Sequence, residues 1–324
     1  MKKITIVAII LASLAIVGEV FIYATSRQSS DEIYHQAIRT NYHIYAPIVP
    51  DAMTFAGEKV PLDIYYVRES LDRELLVNMY WQSNMMLYMK RAGRFFPIIE
   101  PILKRNGVPD DFKYLCVIES GLQNLTSTAK AQGYWQFIKT TGERYGLKIN
   151  DEIDMRNDIE ASTEAACSYL KDLKKKFGSW TSAAAAYNCG ENGLSRRYGL
   201  EEVNSYYDVR LNSETARYVY RILAVKQIMQ HPQDYGIYLR KCDLYPSIPT
   251  KKVSLIGRDI DLYAFARRNG TTYKMLRELN PWITTDRLKN KEGRSYDVAI
   301  PTRQGITLST IVRGEKNTEL VESL

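Results

Sequence analysis

Val108-Pro109-Asp110-Asp111-Phe112-Lys113-Tyr114-Leu115-Cys116-Val117-Ile118-Glu119-Ser120-Gly121 reads as one short helix with its start and stop signals in place. Pro109 and the two aspartates suit the first turn, and Gly121 suits the C-terminal cap. Phe112, Leu115, Cys116 and Glu119 fall at i, i+3, i+4 and i+7, so the carboxylate continues the apolar stripe instead of facing water. Desolvation and the negative end of the helix dipole both disfavour the ionised form. Both raise the pKa toward the range of a general acid. The placement equally suits a structural carboxylate at the stripe's edge, reaching solvent or bonded to a neighbouring amide, and the segment alone does not choose.

Outward from this helix the pattern stays helical. It turns so at about Asp72, runs through Met79, Met86 and Met89 to Phe95, Phe96, Ile98 and Ile99, and is punctuated by Pro97 and Pro101. Successive helices are expected to about Gln230, closed by His231-Pro232, with no alternating strand pattern between. The expectation for 72–232 is therefore an all-α domain. Within it, Gly133-Tyr134-Trp135-Gln136-Phe137 sets two large aromatics beside an amide, a combination that suits a sugar-binding floor or an ordinary core. Ala183 to Ala186 followed by Tyr187-Asn188-Cys189-Gly190-Glu191 reads as a small-residue helix ending in polar groups at a glycine turn.

In this order, the three segments resemble the soluble-lytic-transglycosylase (SLT) domain, in particular the membrane-bound lytic murein transglycosylase D family. The likeness runs from about Met86 to about Gln230. It includes Arg91 to Ile99, Gly107-Val108-Pro109, Ile118-Glu119-Ser120, the 133–137 segment with Thr141-Gly142, and Ser162 to Ala166 with Tyr169-Leu170. Phe177 to Trp180, Ala186 to Glu191, and Glu214-Thr215 with Tyr218-Val219 complete it. The resemblance implies a lysozyme-like α-helical fold and cleavage of the MurNAc–GlcNAc β-1,4 bond of peptidoglycan. It further implies Glu119 as acid and base, Ser120 as its support, and Tyr134, Gln136, Tyr187 and Asn188 as substrate-binding residues. Tyr134, Lys139 and Cys189 depart from the family's usual Leu, Pro and Ala, which bears on substrate fit more than on the reaction.

The resemblance also implies an unusual economy of carboxylates. Glycosidases ordinarily employ two. In this family one acid protonates the glycosidic oxygen, and its carboxylate then deprotonates the muramoyl C6 hydroxyl, which attacks C1 of its own ring and leaves a 1,6-anhydromuramoyl end. An attached nucleophile supplies effective molarity in place of the second carboxylate. Asp154, Asp158, Glu164 and Glu191 are the carboxylates able to convert such a site to a hydrolase, Glu164 being read as helix N-terminal charge. A hydrolytic muramidase and a catalytically weak peptidoglycan-binding scaffold are the alternatives.

Residues 251–303 change character: strand (Val253 to Ile256), helix (Asp261 to Asn269), helix (Tyr273 to Leu279) and strand (Tyr296 to Ile300). They resemble a LysM module, a small α+β (βααβ) unit that binds GlcNAc-containing glycans. Gly257-Arg258-Asp259 replaces the usual Gly-Asp-Thr turn, so glycan binding and a purely structural cap both remain open. The fold class is thus mainly α with a small α+β module behind it. Residues 233–250 read as linker, 27–71 as linker and lead-in, and 304–324 as a tail.

Met1-Lys2-Lys3 ahead of the apolar run from Ile4 to Val17, with Glu19 interrupting its continuation, reads as an export signal over 1–26, either cleaved or kept as an anchor. That places the chain in the cell envelope on the periplasmic side, with an inner or outer membrane surface as a neighbour. The net charge of +7 suits an anionic partner such as nucleic acid, a membrane surface or the carboxylate-bearing cell wall. Between Lys251 and Arg303 twelve Lys or Arg face six Asp or Glu, yet no basic helix or RNP-type aromatic signature accompanies them, which argues against nucleic acid. Twenty-four tyrosines suit either packing or sugar stacking. Cys116, Cys167, Cys189 and Cys242 lack zinc spacing, and only three histidines occur, so no metal or other cofactor is expected. Cys116 and Cys167 read as small hydrophobes, with a disulfide left open.

Overall fold

Apolar spacing and turn chemistry account for most of the elements. In the computed structural model, which describes residues 45–302, Thr307 and residues 319–324, the order begins with a hairpin of β1 (Thr54–Phe55) and β2 (Glu58–Lys59). Helix α1 (Tyr65–Tyr80) follows and buries Val67, Leu71 and Leu75. It starts ahead of the Asp72 onset read from the sequence because its first turn carries exposed Tyr65 and Tyr66, which blur the apolar period.

Helix α2 (Gln82–Arg105) runs uninterrupted through Pro97 and Pro101. Each proline removes a helical hydrogen bond at a cost of about 3 kcal/mol. The continuous buried stripe of Met85, Met89, Ala92, Phe96, Ile99 and Leu103 offsets that cost, so the prolines do not end the helix.

Helix α3 (Phe112–Ser120) is buried almost all round. Asp111, at its N-terminus, does not cap it by side chain. Its carboxylate instead accepts from the Ala56 amide and the Lys226 ammonium, both at 2.7 Å, and so ties the hairpin to the distant end of the domain. Around α3 pack α5 (Ile159–Phe177), α6 (Trp180–Cys189) and α8 (Ser213–Gln230), with the shorter α4 (Lys139–Arg144) and α7 (Glu191–Glu201) at the periphery. Asp158, Ser179 and Asn212 N-cap α5, α6 and α8 by side chain. Ala183 to Ala186 are fully buried, as small residues at a close helix contact should be.

The stretch 233–250 is folded onto this body. Tyr235, Ile237 and Leu239 are buried in its core, and the Tyr245 amide donates to the Lys90 carbonyl at 2.8 Å. Residues 319–324 return to the same face: the Val321 amide donates to the Leu239 carbonyl (2.7 Å), and Val321 is buried in the same core.

The last module has two antiparallel pairs. One is β3 (Thr250–Leu255) with β6 (Tyr296–Pro301), in the register Val253 to Val298. The other is β4 (Ile260–Asp261) with β5 (Arg287–Leu288). Between them lie α9 (Leu262–Arg268) and α10 (Tyr273–Leu279), capped by Asp261 and Thr272. This is the mainly α body with a small α+β unit that the sequence predicted.

The module does not hang free. Ile153, from the loop between α4 and α5, lies in the module's own core and bridges to Ile283. The Asp154 amide donates to the Trp282 carbonyl (2.8 Å), the Thr284 amide to the Glu152 carbonyl (2.9 Å), and the Glu152 carboxylate accepts from the Lys289 amide (2.6 Å). The described residues from Pro47 onward accordingly form one compact unit.

All four cysteines are free thiols. No helix among the described residues is long and apolar enough to cross a membrane. The export segment read over 1–26 lies outside the described residues.

Candidate active site

Glu119 occupies the last turn of α3, and the chain reverses directly after it. Gly121 takes a left-handed conformation (φ 59°) and its amide closes the helix on the Val117 carbonyl at 2.7 Å. A Cβ at Gly121 would come within 2.7 Å of the Tyr88 ring, so only glycine fits this turn. The sharp stop leaves the Glu119 side chain partly exposed while its neighbours Ile118 and Ser120 are buried.

Burial pushes the Glu119 carboxyl up to about 7, against the pull of the Tyr218 hydroxyl and the Arg221 guanidinium, with a further push from the Glu214 charge. The Tyr218 hydroxyl donates to Glu119 Oε1. A carboxyl that is half-protonated near neutrality and held by one donor is equipped to give a proton and take it back.

The sequence-selected residues are not all arranged around that carboxyl. Ser120 donates backward to the Cys116 carbonyl (3.3 Å) within its own helix. Tyr134 is buried, its ring against Phe95 at 5.0 Å and its carbonyl accepting from the Cys116 thiol (3.4 Å).

Gln136 has a left-handed backbone (φ 49°), and its amide nitrogen donates to the Gly133 (2.7 Å) and Leu125 (3.0 Å) carbonyls, tying the 125–136 loop into a closed turn. Its amide oxygen remains to accept from a ligand. Gly133 is required there, because a Cβ would meet the Arg156 carbonyl at 1.9 Å. Arg156 braces the same loop, donating to the Phe137 carbonyl at 3.1 Å while paired with Asp154.

Two residues of α6 carry the opposite side. Tyr187 donates to the Trp135 carbonyl (2.7 Å), spanning from α6 to the glycine-rich loop, and its hydroxyl is pushed well above its usual pKa by burial and by the Glu119 charge. Asn188 donates to Glu214 (3.1 Å) and accepts from the Thr215 hydroxyl (2.8 Å). Trp135 itself is fully buried, with its indole nitrogen on the Thr163 hydroxyl at 2.8 Å.

The sequence reading missed Tyr218 and Arg221, which reach Glu119 from α8. Tyr218 was quoted there as part of the Glu214-Thr215, Tyr218-Val219 pattern, but nothing local in that pattern says which tyrosine meets the acid.

The other carboxylates named from the sequence are committed elsewhere. Asp154 pairs with Arg156 (2.6 Å), Asp158 caps α5 through the Ala161 amide (2.8 Å), and Glu191 pairs with Arg144 (2.9 Å). Glu164 lies within α5, one turn past its start, and holds Arg105 and Asn106. The carboxylate whose charge does reach Glu119 is Glu214, which Asn188 binds.

Residues 96–208 match the family model of the Transglycosylase SLT domain, and residues 251–304 match that of the Soluble lytic transglycosylase C-terminal LysM-like domain. Over 202 residues the chain is 30% identical to membrane-bound lytic murein transglycosylase D of Escherichia coli (strain K12), and equally to that of Escherichia coli O6:H1 (strain CFT073). The aligned region is 60% of this chain and 44% of each relative, so the chain spans less than half the length of the relatives it matches. It carries a transglycosylase SLT domain, followed by a LysM-like domain of the soluble lytic transglycosylase C-terminal type.

Proposed function

We propose that this protein is a peptidoglycan lytic transglycosylase of the cell envelope, cleaving the MurNAc–GlcNAc β-1,4 bond with Glu119 as its acid and base and leaving 1,6-anhydromuramoyl ends. The observation that carries the reading is the setting of Glu119, whose neighbouring carboxylate, Glu214, is already bound by Asn188. Its carboxyl sits at the end of a buried helix with Tyr218 as its hydrogen-bond partner, while Asp154, Asp158, Glu164 and Glu191 are bound to other groups.

Protonated Glu119 gives its proton to the glycosidic oxygen as the bond to C1 breaks. The resulting carboxylate is stabilised by the Tyr218 hydroxyl and the Arg221 charge. It then takes the proton of the muramoyl C6 hydroxyl as that oxygen bonds to C1, which returns Glu119 to its starting state. Two carboxylates are not needed, because the nucleophile is part of the ring. Gln136, Tyr187 and Asn188 line the groove that positions the sugar. The basic LysM-like module adds affinity for the anionic wall, and residues 1–26 direct the chain to the periplasmic side as a cleaved signal or an anchor.

A hydrolytic muramidase is favoured only insofar as Glu214 could activate water, and its hydrogen bond to Asn188 argues against that use. The test is to digest O-acetylated glycan strands before and after mild base de-esterification and to weigh the released muropeptides. Cleavage is expected only after de-esterification, with 1,6-anhydro ends. Efficient cutting of the acetylated strands to reducing ends would overturn the transglycosylase reading and leave Glu119 as the acid of a hydrolase.

A further inference from the structure

A pocket of about 330 Å³ opens beside the catalytic helix, between α1, α2 and α8. Ile118, one residue before Glu119, forms part of its wall. Trp81, Tyr88 and Val77 supply an aromatic and aliphatic side, and Arg217 and Arg221 face it from successive turns of α8. The pocket is contiguous with the site, since the Tyr88 ring lies against Gly121 and Glu214, another lining residue, binds Asn188.

Its charges are unevenly spent. Buried Glu74 is held by Arg217 (2.6 and 3.1 Å) and by Arg73 (2.6 Å), so that carboxylate is fully compensated. Arg221, whose charge also acts on Glu119, forms no close ion pair among the described residues and makes a single long hydrogen bond, 3.4 Å, to the Ile118 carbonyl. Two lining guanidiniums, Arg217 and Arg221, thus face the lining carboxylates of Glu74 and Glu214, with Arg73 reaching Glu74 from outside the lining, beside an apolar wall on which Trp81 remains 54% exposed. A part-buried guanidinium that lines the same pocket as an open tryptophan is suited to receive a carboxylate whose carbon skeleton rests on the ring.

We propose that this pocket binds a carboxylate carried on the lactyl arm of muramic acid, with Arg221 as its partner and Trp81 and Val77 receiving the adjoining methyl groups. The proposal rests on the peptidoglycan reading above for the identity of the ligand, and it deepens that reading: strand choice would be decided by what the lactyl arm bears. The carboxylate has two sources. On peptide-bearing strands it belongs to the stem peptide, and on strands stripped of peptide it is the lactyl group's own.

The test measures binding in the full chain carrying Glu119→Gln, so that turnover and the effect of Arg221 on the acid do not enter. The probes are peptide-bearing tetrasaccharides, the same tetrasaccharides after amidase removal of the peptide, and both after carbodiimide amidation of their carboxyls. Adding Arg221→Gln is expected to weaken binding of the carboxylated probes about tenfold or more, as for loss of a charge-assisted hydrogen bond, and to leave the amidated probes unchanged. Arg221→Lys should restore part of the loss and guards against a folding artefact.

A loss confined to peptide-bearing probes assigns the stem peptide, and a loss confined to stripped probes assigns the lactyl carboxylate. Equal losses on carboxylated and amidated probes, or no loss on either, would overturn the proposal. Because binding is scored in an inactive background, that failure would leave the product analysis of the active enzyme untouched. Reducing ends in the product analysis would likewise not alter this binding result.

Discussion

The Tyr218 hydroxyl donates to Oε1 of Glu119 across 99 residues of chain, from the middle of α8 to the last turn of α3. A hydrogen bond to a carboxylate favours the charged form and pulls its pKa down, whereas burial pushes it up. Burial wins here and leaves the carboxyl at about 7. Activity that needs protonated Glu119 should therefore fall as pH rises through about 7. In Tyr218→Phe the opposing pull is lost, so the alkaline limb of kcat/KM should move up by about one pH unit, the worth of a charge-assisted hydrogen bond of roughly 1.5 kcal/mol. An unmoved limb in that variant would show that the hydroxyl does not act on the acid.

Glu119→Gln keeps the shape of the side chain but cannot donate and recover a proton. Sacculus binding should persist while release of soluble fragments drops by about 100-fold or more. Retention of more than about a tenth of the wild-type rate would contradict the acid–base role.

The same carboxyl links stability to pH. Its folded pKa of about 7 lies above the ordinary 4.5, so between these values the folded state binds more protons than the unfolded state. Stability contributed at this position is complete below about 4.5 and is lost as pH rises to about 7. The Tm of Glu119→Gln relative to wild type should therefore rise across that window and level off above it. A constant difference from pH 4 to pH 8 would mean that the acid is not held neutral by the fold.

Deleting residues 251–324 would do more than remove the LysM-like unit. It would bare Ile153 and take the Trp282 carbonyl from the Asp154 amide, and Asp154 pairs with the Arg156 that braces the Gln136 loop. The truncated chain should lose turnover on short soluble glycans along with sacculus binding. A milder probe is Ile283→Ala, which empties part of the shared core and should cost roughly 2–4 kcal/mol in denaturant unfolding. Full activity of the truncated chain on soluble glycans would show that the seam does not support the groove.

Local signals in the sequence were enough to read α3 with Gly121 as its stop, the small-residue helix of Ala183 to Ala186 with its glycine turn at Gly190, and the strand–helix–helix–strand order of the module. Each follows from spacing or from a backbone conformation that one residue type tolerates. The likeness of residues 86–230 to the SLT domain made Glu119 the leading candidate for the acid.

Longer-range relationships were decided only by the tertiary structure. Nothing near Tyr218 distinguishes it from Tyr187, yet packing of α8 on α3 brings the first to the acid, while the second, on α6, bonds the Trp135 carbonyl. Pro97 and Pro101 punctuate the helical pattern in the sequence, and only the buried stripe along α2 shows why one helix carries both. The stretch 233–250 reads as linker because it holds Pro246 and Pro249, but Tyr235, Ile237 and Leu239 find partners in a core assembled from distant segments. Ile153 looks like a loop residue until the module closes over it. Burial, charge compensation and the pairing of carboxylates are sums over neighbours far apart in the chain, and those neighbours are fixed only when the helices pack.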